Sequence, residues 1–454
     1  MAAFRPKPIW PKCRGAALSE TTLIRHPLSL LRDPGTVRAR CAAILRAVEA
    51  NVSEHFTLNR AALPALAERV AALTLRRFPD LKIPYHSRWR HFEAGGVDRK
   101  LALDALLSTR TVADAARARF DLTVVSVLLD AGAGPAWRYT EGRAEGREEG
   151  HGASAAGAEA GTGQVLQRSE GLGVATWHAF LNGVFSATAD DPLRADATAL
   201  EKIDAAALRA LFQSSPSNPV VGLEGRAGLI VRLGAALRDE AALGGGAARP
   251  ALLFDRLTAE GTRTTVAATE VLGQVLRVLG PIWVSGSRVQ GLPAGDVWPH
   301  RWAGAATGRG VDDPTTGGWV PFHKLSQWLS YSLLEPLQWA GVTVTGLDAL
   351  TGLPEYRNGG LLLDAGVLLP RNPRALGKTW KPQDDFIIEW RALTVALLDE
   401  VAVLVRKQLG RSAEELPLAC VLEGGTWAAG REIAKELRGD GSPPLNIESD
   451  GTIF

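Results

Sequence analysis

The chain has 454 residues, 46% of them hydrophobic and 22% charged, with a formal net charge of +2 at pH 7. That balance describes a globular chain able to bury a large core. The near-neutral charge points away from nucleic acid or an anionic membrane as a partner. No apolar run reaches the ~20 residues that a membrane helix needs, and residues 1–15 lack the continuous apolar segment of a secretion signal. Cys13, Cys41 and Cys420 are far apart and form no CxxC pair, which suits a reducing cytoplasm. The eight histidines show no HExxH or similar spacing, so neither a metal nor another cofactor is expected.

Taken in chain order, apolar residues recur at helical spacing over 37–52, 61–77, 206–212, 227–237 and 266–279. Pro281 stops the last of these. A longer helix is predicted over 322–339, with Pro336 kinking or ending it. The longest are predicted over 385–409 and 417–437, the second interrupted by Gly424 and Gly425. Strand signals are short: 361–369 is the strongest, with 282–284 and 342–344 weaker. The expected fold is mainly α, multi-helical with a minor β element. Residues 141–163, rich in Gly, Ala and Glu, read as a mobile insertion. Residues 285–318, rich in Gly, Pro and Asp, read as a long loop that packs down through Trp298 and Trp302. An N-terminal helical segment, 1–90, is expected to precede a main domain, 91–454, in one compact unit.

Six segments combine charge with apolar surroundings. In SVLLDAGAGPAWRY an apolar run delivers Asp130 into a small-residue turn, followed by Trp137 and Arg138. Glycines there let a ligand approach closely; the structural alternative is that Asp130 caps the next helix. HFEAGGVDR gathers His91, Glu93, Asp98 and Arg99 around two glycines, as a binding turn or an exposed charged one. In RSEGL, Ser169 and Glu170 open an amphipathic helix, as a cap or as ligand contacts. In PFHKLSQWLSY, Lys324, Gln327 and Tyr331 share a helix face that meets solvent or lines a pocket. Asp364, inside the apolar run NGGLLLDAGVLLP, needs a cation or a ligand if buried. Finally, Glu389 and Arg391 interrupt one apolar helix, and Glu423, Trp427 and Arg431 lie on the next. Two such facing helices can pair Glu389 with Arg431, or Arg391 with Glu423. No P-loop, dinucleotide fingerprint, GxSxG elbow or metal box is present.

Together HFEAGGVDR, SVLLDAGAGPAWRY, RSEGL, PFHKLSQWLSYSL, GGLLLDAGVL, EWRALTVALLDE, LEGGTWAAGREIA and DGSPPLNIESDGTIF resemble the uracil-catabolism protein four family of fungi and bacteria. The resemblance implies a role in degrading uracil through a ribosylated, ring-opened intermediate to urea and a three-carbon acid. More distantly, IIEWRALTVALLDEVA, LACVLEGGTWAAGREIA and PVVGLEGRAGLIVRLGAAL look like helices of the queuosine-nucleotide N-glycosylase family. That likeness implies a helical hydrolase that cuts a base from ribose phosphate. Where that family carries an aspartate after a phenylalanine, this chain has His323 and Lys324, so no catalytic aspartate transfers there.

The implied reaction is hydrolysis of the N-ribosidic bond of ribosylurea or its 5′-phosphate, with no cofactor. The catalytic carboxylates expected are Asp130 or Asp364 for water, with Glu389 and Glu423 for sugar hydroxyls or the leaving urea. Substrate contacts are expected from His91, Glu93, Asp98, Arg99, Trp137, Glu170, Lys324, Gln327, Arg391, Trp427 and Arg431. The alternatives are an amide hydrolase acting on the ring-opened uracil nucleotide, or a non-catalytic pathway scaffold.

Overall fold

Helix ends are set by local chemistry. Asp33 accepts from Gly35 N, Ser87 from Trp89 N and Thr111 from Asp114 N, each opening a helix as an N-cap. The computed structural model describes residues 27–142, 163–283, 287–289, 291–304 and 316–448. Its main elements are α1 (Pro34–Glu49), α2 (Leu63–Arg77), α3 (Arg88–Phe92), α4 (Val112–Leu128), α5 (Arg168–Leu181), α6 (Leu223–Gly244), α7 (Ala268–Leu279), α8 (Lys324–Trp339), α9 (Tyr356–Asp364), α10 (Asp385–Leu409) and α11 (Trp427–Arg438). The fold is mainly α. Among the described residues, strands occur only as two-stranded pairs. Phe56–Leu58 runs antiparallel to Leu368–Pro370, and Thr265–Ala267 runs parallel to Thr343–Thr345.

The helix α10 is the axis of one half of the molecule. Its 25 residues span about 37 Å. Every residue from Phe386 to Leu398 is buried, because α1, α2 and α9 pack around it. In the other half α4 plays the same part, against α5 and α8. A helix apolar on all sides is stable only where neighbours cover every face. One continuous apolar core runs from Val37 to Leu445 and joins the two halves. Among the described residues, no helix is long and apolar enough to cross a membrane.

The structure revises several local expectations. The strand expected over 361–369 is helix α9 followed by the short strand Leu368–Pro370. A run of apolar residues does not distinguish a buried strand from a buried helix. Here Glu355 caps the helix, and Gly359 and Gly360 let it press onto neighbours. A Cβ on Gly359 would lie 2.3 Å from Trp390 Cζ2, and one on Gly360 3.0 Å from Pro444 Cδ. The expected strand over 282–284 is instead the end of a 3₁₀ turn, Gly280–Ile282, with Val284 outside the described residues. Pro336 neither breaks nor ends α8, because it sits in the last turns and the helix runs on to Trp339. Helix α4 occupies the apolar run ahead of Asp130, where periodicity alone gave no helix.

The helix expected over 417–437 begins at Leu418, widens into a π-turn over Leu422–Thr426 and continues as α11. Its glycines pack on α2: a Cβ on Gly425 would lie 2.5 Å from Val70 Cγ1. The sequence DGSPPLNIESDGTIF docks in part. Leu445 is buried, and Asn446–Ile447 pairs in parallel with Thr379–Trp380. The expected insertion lies almost wholly outside the described residues, as does part of the 285–318 loop. Trp298 of that loop is buried.

Candidate functional site

The ends of several helices converge on one cavity of about 280 Å³. Its wall includes the turn that follows α4, Asp130 to Pro135, and the first residues of α5, α8 and α9. That volume is at the small end of the ~300–1,000 Å³ usual for small-molecule sites. The positive dipole ends of three helices meet here, which favours anionic or oxygen-rich groups, although Glu355 and Asp296 already accept from the first N–H groups of α9 and α8.

Asp130 is delivered by the C-terminus of α4 and is almost fully buried. Arg88 Nη1 donates to its Oδ2 at 2.6 Å. Arg88 is itself fixed by Ser126 Oγ at 2.7 Å and the carbonyl of Ser169 at 3.1 Å. Burial pushes the Asp130 carboxyl above its ordinary range, and the Arg88 guanidinium opposes this. The turn after Asp130 is held from below by buried Arg226 of α6. Arg226 donates to the carbonyls of Leu129, Ala131 and Gly132, the last two at 3.0 Å. Gly134 has φ +90°, and a Cβ there would lie 2.9 Å from Val221 Cγ2, so a side chain is excluded.

His91 lies one helical turn from Arg88. Its Nδ1 is 3.1 Å from Arg88 Nη1. A guanidinium only donates, so Nδ1 accepts and Nε2 carries the proton. Burial, with Arg88 beside it, holds the imidazole well below the usual histidine range. Lys324 opens α8, and burial lowers its ammonium to about 8. Glu355 caps α9, accepting from Arg357 N at 2.8 Å and Asn358 N at 2.6 Å. Burial nevertheless raises its carboxyl above the ordinary range. Two buried donors beside these groups, Arg88 Nη2 and Trp328 Nε1, have no hydrogen-bond partner among the described residues. Each such donor costs about 1–3 kcal/mol unless a bound group accepts from it.

His86 and Trp427 also line the cavity and face one another, ring centroids 6.0 Å apart. Glu423 sits in the π-turn and accepts from His86 Nδ1 at 2.9 Å and Arg77 Nη2 at 3.0 Å. Burial alone would raise Glu423. The His86 hydrogen bond and Arg77 outweigh it and hold the carboxyl below its ordinary value. An ionised Glu423 fixes the proton on Nδ1 of His86. π-turns commonly occur at functional sites because they re-aim one side chain.

Asp130, His91, Lys324 and Trp427, predicted from sequence, thus share this cavity. Glu423 stands behind His86. Glu170 and Arg431 form an ion pair at 3.2 Å in a neighbouring cavity of about 680 Å³. The remaining residues are engaged elsewhere. Asp364 closes α9 in a bidentate pair with Arg438. Glu389 accepts from Ser53 Oγ and lies 3.7 Å from His300. Arg391 grips Asp296 at 2.8 and 2.7 Å. Neither the Glu389–Arg431 nor the Arg391–Glu423 pair forms, because these side chains leave their helices toward other partners. Gln327 and Tyr331 both bond Thr351, at 2.9 and 2.8 Å, away from the cavity.

Trp137 is buried and donates to the carbonyl of Phe212 at 2.8 Å. Arg99 pairs with Glu141 and holds the carbonyls of Phe92 and Ala94. Asp98 caps a helix at Leu101 N, and half-exposed Glu93 pairs with Arg90 at 3.0 Å. His86, Arg88, Glu355 and Arg357 went unpredicted. The first two precede HFEAGGVDR by a few residues. The others begin a helix whose later part read as strand, and Glu355 is not one of the residue types that usually mark a helix start. Among the described residues no group of three or more His, Cys, Asp or Glu is placed to hold a metal ion.

Fold and site together define a multi-helical protein with a partly open cavity at its helix ends, lined by carboxylates and cations. The chain belongs to the family described as "Protein of unknown function (DUF1688)", whose model matches residues 30–454. It is 35% identical to "Protein urg3" of Schizosaccharomyces pombe over 433 residues, covering 92% of this chain and 96% of that protein. It is also 35% identical to "Uracil catabolism protein 4" of Lachancea kluyveri over 460 residues, covering 95% and 100%.

Proposed function

We propose that the protein acts in uracil catabolism as an N-ribosyl hydrolase, splitting ribosylurea or its 5′-phosphate into urea and the sugar. The pathway assignment rests on the name of the Lachancea kluyveri relative. The observation that carries the reaction is the buried Asp130–Arg88 pair, with Asp130 and Lys324 lining one cavity of sugar size. Breaking a C–N ribosidic bond builds oxocarbenium character at the sugar, and a carboxylate stabilises that charge. Asp130 accepts a proton from water as the water oxygen bonds to the anomeric carbon. Urea is a poor leaving group, so its nitrogen must gain a proton as the bond breaks. Lys324, lowered to about 8, is charged at neutral pH and still acidic enough to supply it. His86, oriented by Glu423, and the indole of Trp427 bound the sugar on the other side.

The test is release of urea from ribosylurea and from phosphoribosylurea by purified protein. Asp130→Asn is expected to lower kcat by ~10²–10⁴-fold; it also leaves buried Arg88 without its counter-charge, at a cost of about 3–5 kcal/mol, so rates are compared at a temperature where both proteins are folded by circular dichroism. Absence of urea from both substrates with folded protein would overturn the reading.

A further inference from the structure

The cavity opens into the neighbouring one of about 680 Å³, and the two share Arg168 and Arg357. The second cavity is lined by four cations, Arg168, Arg357, Arg431 and Lys435, against two carboxylates, Glu170 and Asp440. Glu170 is already paired with Arg431. The surplus positive charge therefore collects at the junction, around Arg168 and Arg357.

Both residues are unusual there. Arg168 has φ +54°, left-handed backbone that an arginine adopts only under strain. Its guanidinium makes no hydrogen bond or ion pair with another described residue, while its backbone opens α5. Arg357 is almost fully buried, and burial lowers its guanidinium. Its Nη1 donates to the carbonyl of Gly441 at 3.0 Å, which fixes the fork in place. Arg431 adds a third guanidinium, lying 4.7 Å over the ring of Trp427 and so bridging the two cavities. Lys435 follows one turn later on α11. A dianion with three equivalent acceptor oxygens satisfies two guanidinium forks at once, and a neutral hydroxyl does not.

We infer that the junction is a phosphate subsite, and that the substrate is the 5′-phosphate monoester of the ribosylated compound, its phosphate on Arg168 and Arg357 and its sugar toward Asp130. The choice of sugar rests on the proposed function; the phosphate subsite does not. The strain at Arg168 is then retained for binding, since glycine would adopt the same φ without cost.

Binding of ribose 5-phosphate and of ribose, measured by calorimetry, tests this without turnover. Ribose 5-phosphate is expected to bind at least thirtyfold more tightly than ribose. Arg168→Gln is expected to lose at least tenfold of that preference. Arg168→Gly relieves the backbone, so it should fold as well as the parent and lose affinity equally; this separates binding from stability. Equal affinity for ribose and its phosphate, or unchanged binding in both Arg168 variants, would overturn the subsite. Phosphate-dependent binding through Arg168 without urea release from any substrate would uphold the subsite and remove the proposed reaction. Urea release with equal kcat/KM from the two ribosylureas would do the reverse.

Discussion

Lys324 shows how a single residue can trade stability against chemistry. Burial disfavours its ammonium and lowers it to about 8. Between pH 8 and the unfolded value near 10.4 the unfolded chain binds more protons, so this group's cost to folding is greatest below pH 8 and fades as pH rises. Lys324→Met is therefore expected to stabilise the fold at pH 7, on the order of 2 kcal/mol, while abolishing turnover. Denaturant unfolding and urea release on the same preparation would check both; a destabilised variant would mean that the ammonium is better paired than burial implies. In the parent, kcat/KM should fall as pH rises through about 8, because the deprotonated amine has no proton to give. Asp130, His91, Lys324 and Trp427 were legible because each stands in an apolar or glycine-rich run that makes a polar or aromatic group conspicuous. The same signal picked out Asp364, Glu389 and Arg391, which meet Arg438, Ser53 and Asp296 instead. A charge in an apolar run announces burial, and burial requires a partner, but the partner is a residue as often as a ligand.

At the scale of elements, the π-turn Leu422–Thr426 couples packing to the site. It lets Gly425 touch α2 and swings Glu423 to His86. Gly425→Ala would put a methyl 2.5 Å from Val70 Cγ1 and 2.6 Å from Thr74 Oγ1. The expected cost is about 1–3 kcal/mol. Glu423→Gln keeps the shape and removes the charge that fixes the His86 tautomer. It should lower kcat by roughly tenfold with little change in KM, and the His86 ring nitrogen resonances should report a different tautomer balance in the variant. A variant with unchanged resonances and rate would assign Glu423 to packing alone. The interruption by Gly424 and Gly425 was visible in the sequence. Its meaning was not, since only the approach of α2 turns two glycines into a π-turn.

Across the whole molecule, long-range buried ion pairs tie distant segments to the site. Asp296 comes from a loop and Arg391 from the middle of α10, yet they form a bidentate pair. Asp296 also accepts from Lys324 N at 3.0 Å, so this pair sets the start of α8 and the place of the cavity lysine. Burial would raise the Asp296 carboxyl, but Arg391 outweighs it and holds it well below the usual range. Its stabilisation is complete above the unfolded value near 3.9 and is lost as pH falls toward the folded one. Asp296→Asn should cost about 3–5 kcal/mol at pH 7 by removing the charge that faces buried Arg391. It should also flatten the loss of stability below pH 4. Denaturant melts from pH 3 to 7 would show it; parallel curves for parent and variant would refute the assignment.

Helix content, the long element Asp385–Leu409 and three polar residues of the cavity, Asp130, His91 and Lys324, were determined by the sequence itself, because period and burial are properties of a contiguous stretch. The assembly of the site was not. Arg88 meets Asp130 across 42 positions and His86 meets Glu423 across 337, while α9 packs against both α10 and α11. Which charge faces a ligand and which faces another charge depends on distances that no local pattern encodes, and the tertiary structure alone decided it.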